Sequence, residues 1–100
     1  MDSVFSALDR AGLEGAQVWV TEWGVNVAPR MSQADVDSWF QVALADLLCR
    51  SRIELVTIHT LVDANSQEHF GLLNADRGET PNGRALRKML REWHGCYTAR

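Results

Sequence analysis

The sequence is poor in the features that would place it at once in several broad classes. It has two cysteines, Cys49 and Cys96, far apart and in no CxxC pair, so neither a disulfide framework nor a zinc site is expected. Each is expected to be an incidental or buried thiol, because free cysteine commonly packs as a small hydrophobe. Lys and Arg do not cluster on one face. The densest basic stretch, "GRALRKMLRE", is interrupted by apolar residues at helical spacing, and the formal net charge is -3. Nucleic acid and anionic membrane are therefore not expected as partners. No apolar run reaches the roughly 20 residues of a membrane span. The start, "MDSVFSALDR", has no basic segment followed by an apolar one, so no signal peptide is expected. Whether a longer parent protein is secreted or cytoplasmic stays open.

What is present suits one soluble globular unit. A hydrophobic fraction of 46% and a charged fraction of 23% are ordinary for a folded chain, and 100 residues leave room for a single domain. Val4, Phe5, Leu8 and Ala11 follow helical spacing up to Gly12, which predicts a helix over 1–12 with Asp2 or Ser3 as its cap. "AQVWVTEW" is rich in β-branched and aromatic residues between Gly15 and Gly24 and predicts a strand over 17–23. Ser32 with Asp35 resembles a capping box, and Met31 can staple onto Val36. From there Val36, Trp39, Phe40, Ala43, Leu44, Leu47 and Leu48 repeat as one broad apolar stripe, predicting a helix over 32–50 with Trp39 in the core. "IELVTIHTLVDA" predicts a second strand over 53–62, apolar enough to be covered on both faces. After a loop, Thr80 as cap, Pro81 at the first helical position and Ala85, Leu86, Met89, Leu90 and Trp93 on one face predict a final helix over 80–93. The order α-β-α-β-α implies a right-handed crossover and two parallel strands.

In such sheets function collects at the C-terminal ends of the strands. Glu22 falls at one such end and the segment His59–Asp63 at the other. Alternation puts Val18, Val20 and Glu22 on one side of the strand and Trp19 and Thr21 on the other. Glu22 is then either a solvated surface charge or a placed reagent. A metal site from His59, Asp63 and His69 matches no ligand spacing, and no cofactor motif is present.

Two stretches resemble a known family. "VWVTEWG" is similar to the seventh strand of the clan A glycoside hydrolases, the retaining (β/α)8-barrel enzymes of the cellulase and β-glycosidase kind. "LVTIHTLVDANSQEHFGLLNADRGETPNGRALRKML" is similar to their eighth strand, the loop that follows and the final helix opened by a proline. The resemblance implies an α/β fold that is a partial TIM (β/α)8 barrel, its last two βα units, strands 7 and 8, with a flanking helix. It implies a hydrolase of O-glycosidic bonds acting on a polysaccharide, oligosaccharide or glycoside, with Glu22 as nucleophile. Trp23, His59 and Asp63 fall at substrate-binding positions by the same likeness, with His59 standing where relatives carry an aromatic residue. Trp23 has a competing reading as packing under a loop, and His59 as a satisfied barrel histidine.

The resemblance also defines what the sequence does not contain. A complete barrel takes about 250 residues and eight strands. The family's acid/base Glu follows an Asn at the tip of the fourth strand, and no Asn-Glu dipeptide occurs here. A retaining glycosidase needs both carboxyl groups, about 5–5.5 Å apart. The isolated chain is therefore expected to be inactive, and its two open strand edges imply self-association. The alternative reading is a noncatalytic carbohydrate-binding or protein-interaction module.

Overall fold

In the computed structural model residues 1–63 and 68–96 are described. They form a small α/β unit around a two-stranded parallel sheet that is not closed. Helix α1 (Asp2–Arg10) leads to strand β1 (Val18–Trp23). A long helical segment follows, made of α2 (Gln33–Ser38), a π-helical turn (Trp39–Leu44) and α3 (Ala45–Leu48). Strand β2 (Ile53–Ile58) and helix α4 (Pro81–Glu92) complete the order.

Local chemistry explains where the helices begin. Ser32 caps α2: its Oγ accepts from the Asp35 N–H at 3.1 Å while the Asp35 carboxylate accepts from the Ser32 N–H at 3.2 Å. Thr80 caps α4 by accepting from the Gly83 N–H at 3.1 Å, with Pro81 following where a missing N–H costs nothing. The π turn has a packing consequence. Val36, Phe40 and Leu44 are all buried at four-residue spacing. A four-residue repeat drifts around a helix of about 3.6 residues per turn, and a wider turn offsets that drift.

The core lies between the sheet and the helices. Val25, Val36, Phe40, Leu44, Ala85 and Met89 form its centre, with Trp23, Val56 and Ile58 packed against it. Burying a side chain of Val or Phe size contributes roughly 1.5–3 kcal/mol, so this cluster holds the two βα units together. The opposite face of the sheet has no covering layer. Leu55 and Trp19, paired across the strands, are both exposed there. The expectation that β2 is covered on both faces is thus corrected: among the described residues one face only is covered.

Two further expectations change. Trp39 lies on the flank of the helix rather than in the core, and it is more than half exposed. Cys49 and Cys96 are joined by a disulfide, with Cα atoms 5.4 Å apart, where separate thiols were expected. Cys49 follows α3 and Cys96 lies beyond the end of α4; the helical segment that ends in α3 packs on α4 through α2 and the π turn, and this brings the two residues together. Sequence spacing alone carries no trace of that juxtaposition. The radius of gyration of 15.4 Å exceeds the approximately 13 Å of a compact chain this long, because α1 buries no residue of its own.

Candidate functional site at the strand ends

The β1–β2 register sets the direction of Glu22. Val20 pairs with Val56 and Trp23 with Ile58, with an irregularity between them. Val56, Ile58 and Trp23 all pack toward the helices, and residues paired across a sheet share a face. Glu22 precedes Trp23 and is exposed on the uncovered face. The simple alternation that grouped Val18, Val20 and Glu22 is therefore broken by the bulge, which re-aims the strand tip as bulges do. Glu22 lies on the face opposite the helices, without Val20 beside it.

Trp23 is accounted for by packing. Its ring meets Phe40 edge-on with centroids 5.0 Å apart, a geometry in which aromatic pairs are favourable. This packs the indole against the core and away from the face that carries Glu22, the packing role that its sequence context also allowed. Gly24 follows for a steric reason. A Cβ there would lie 2.2 Å from the His59 carbonyl oxygen and 3.0 Å from the Phe70 ring, so the two strand tips approach too closely for any side chain.

His59 sits next to β2, with its N–H donating to the Trp23 carbonyl at 2.8 Å. Its ring stacks edge-on against Phe70, centroids 5.2 Å apart, and the His59–Thr60 peptide bond is cis. Its direction alternates with that of Ile58, so it belongs to the same end and face of the sheet as Glu22.

Asp63 serves the loop. Its Oδ1 accepts from the Gly71 N–H at 2.7 Å and its Oδ2 lies 4.0 Å from His69 Nδ1. Residues 60–63 run alongside 70–73 through bonds from Thr60 to Phe70, Leu72 to Thr60, Leu73 to Leu61 and Asp63 to Leu73. A Cβ on Gly71 would sit within 2.7 Å of both Asp63 and Leu73 atoms. The carboxylate thus braces the β2–α4 loop. The strand expected over 53–62 ends at Ile58, with one last bond from the His59 N–H to β1, because from Thr60 onward the chain pairs with this loop instead.

Residues that sequence reasoning passed over hold the two loops together. Asn82 is buried, and its Nδ2 donates to the carbonyls of Val25 at 2.8 Å, His69 at 3.1 Å and Phe70 at 3.2 Å. Asn26 Oδ1 accepts from the His69 N–H at 2.8 Å, and the Val27 N–H donates to the His69 carbonyl. Asn82 Oδ1 is buried without a partner among the described residues. The signal was legible in principle: Asn82 stands three residues before Ala85 and seven before Met89, a polar residue on the buried stripe of α4.

Chemically, the strand ends present the exposed carboxylate of Glu22, the imidazole of His59 and a rigid two-loop frame. Among the described residues no three His, Cys, Asp or Glu side chains come together as a metal site, and no helix is long and apolar enough to cross a membrane. Comparison with known protein families, with curated proteins and with solved structures gives no match for the chain.

Proposed function

We propose that the chain is the nucleophile-bearing part of a retaining (β/α)8-barrel glycosidase, with its two βα units corresponding to strands 7 and 8. The observation that carries this reading is the placement of Glu22: an exposed carboxylate at the C-terminal tip of a parallel strand, on the uncovered face, beside a second strand tip. An ionised carboxylate so placed attacks an anomeric carbon, and a second carboxyl group protonates the leaving oxygen and then activates water. Glu22 is the nucleophile in this scheme. His59, on the same face, borders the bound sugar, while Trp23, Gly24, Asp63 and Asn82 fix the frame from behind.

The second carboxyl group must come from elsewhere. Asp63 is committed to the Gly71 amide, and the Asn-Glu pair of the resembled family does not occur in the sequence. The chain alone is therefore expected not to turn over aryl glycosides. Clear hydrolysis by the isolated chain, abolished in Glu22→Gln, would contradict the assignment of the chain as half of a two-carboxylate site. Sugar binding by the isolated chain that survives Glu22→Gln unchanged would favour a noncatalytic carbohydrate-binding module instead.

A further inference from the structure

The helix layer ends in two uncovered flanks, one on each side of the α2–α4 packing. Gln33 and Asp37 turn toward α4, where Gln33 donates to the Pro81 carbonyl at 2.9 Å and Asp37 lies 3.5 Å from Lys88 Nζ. On the far flank of the same helix stand Met31, Asp35, Trp39 and Val42, with Trp39 54% and Val42 67% exposed. Helix α4 is arranged in the mirror sense. Arg84 and Lys88 turn toward α2, and the far flank carries Leu86 and Leu90 above Leu61 and Leu72. These leucines line a groove of about 430 Å³ rimmed by Arg87 and Arg91, and Leu61 and Leu90 are 64% and 63% exposed.

We infer that a second copy of this chain docks here head to tail, the α4 flank of one copy against the α2 flank of the next. Three observations select this occupant. The projecting indole of Trp39 on one flank has an apolar groove to enter on the other. The charges are complementary, with Asp35 beside Trp39 and Arg91 at the groove rim, where Arg87 is held by Glu79, repeating between copies the Asp37–Lys88 pairing that joins the helices within one copy. Among the described residues each strand of the sheet has a neighbour on one edge only. A two-stranded sheet is marginal, and further strands stabilise it. Because the two surfaces differ, the contact is heterologous, and each copy keeps one free flank for another. This inference concerns the chain on its own; in the barrel of the proposed function the same flanks are covered by neighbouring βα units.

The test uses analytical ultracentrifugation of the oxidised chain from micromolar to near-millimolar concentration, with Trp39→Lys and Leu90→Glu as exposed substitutions whose folding is checked by circular dichroism. The wild type is expected to rise with concentration to at least twice the monomer mass, and each variant alone to stay monomeric. An equimolar mixture of the two variants is expected to recover the doubled mass, because one intact flank of each kind is then present on different copies. A wild type that stays monomeric throughout overturns the inference and leaves the flanks to other βα units. Association of either variant alone, or a mixture that fails to associate, overturns the head-to-tail arrangement.

Discussion

Individual residues at the strand ends act chiefly through what they exclude. Gly24→Ala would push a methyl group into the His59 carbonyl, and the backbone of two strand tips must then move apart. A loss of about 2–4 kcal/mol is expected in urea unfolding; an unchanged midpoint would show that the tips are not in contact. Asn82→Ala removes the donors that satisfy three carbonyls from two different loops, at a cost of about 2–3 kcal/mol. Amide exchange should rise at His69, whose N–H is held by the neighbouring Asn26. Glu22→Gln touches none of this bracing and is expected to leave stability unchanged. The sequence made the position of Glu22 legible because a strand of "VWVTEW" followed by glycine has few other readings. It did not make the bracing by Asp63 and Asn82 legible, since both depend on partners a loop away whose distance no local pattern encodes.

At the scale of elements, the caps and the apolar stripes predicted the helices well, while the stripe of 32–50 overstated how much of itself is buried. Periodicity reports an apolar face; it does not report whether the chain supplies neighbours for all of it, and Trp39 and Leu48 stay in part exposed here. The disulfide is the other element-scale feature that the sequence hid. Closing a loop with a sequence separation of 47 residues restricts the unfolded chain, and the entropic model assigns such a loop about 4 kcal/mol. Reduction with dithiothreitol is therefore expected to lower the thermal midpoint, and the Cys49→Ser, Cys96→Ser double variant should match the reduced protein; equal midpoints for the oxidised and reduced forms would contradict it. Disulfides persist in oxidising compartments, so the chain's full stability is available only there.

Helix α1 is held differently, by ion pairs at the start of β2. Asp2 pairs with Arg50 and Asp9 with Arg52, whose guanidinium also lies over the Phe5 ring. The hydrogen bond from Arg50, and then its charge, hold the Asp2 carboxyl below its ordinary pKa. A lowered folded-state pKa gives stability that is present above the ordinary carboxylate range and is lost as pH falls through the folded value. Acidification below that range is thus expected to free α1 first, seen as faster amide exchange in residues 4–10 while α4 stays protected. Simultaneous loss of both helices would show that α1 is bound by more than these pairs.

As a whole the described residues form an open α/β unit: one face of a parallel sheet covered, one face bare, and an unpaired edge on each strand. That shape accounts for the exposed Trp19, Leu55, Trp39 and Leu90 together, which a closed domain would not leave on its surface. It also sets the terms of the proposed chemistry, because a strand tip carrying Glu22 becomes an active site only when other strands bring a second carboxyl group to face it. The most direct measurement is intact and peptide mass spectrometry of a polypeptide that carries this chain together with six further βα units, after incubation with an activated 2-deoxy-2-fluoroglycoside. The account predicts a single glycosyl adduct on the peptide containing Glu22, absent in Glu22→Gln. An active enzyme that gives no adduct, or an adduct on another carboxylate, would contradict the assignment of Glu22 as the nucleophile.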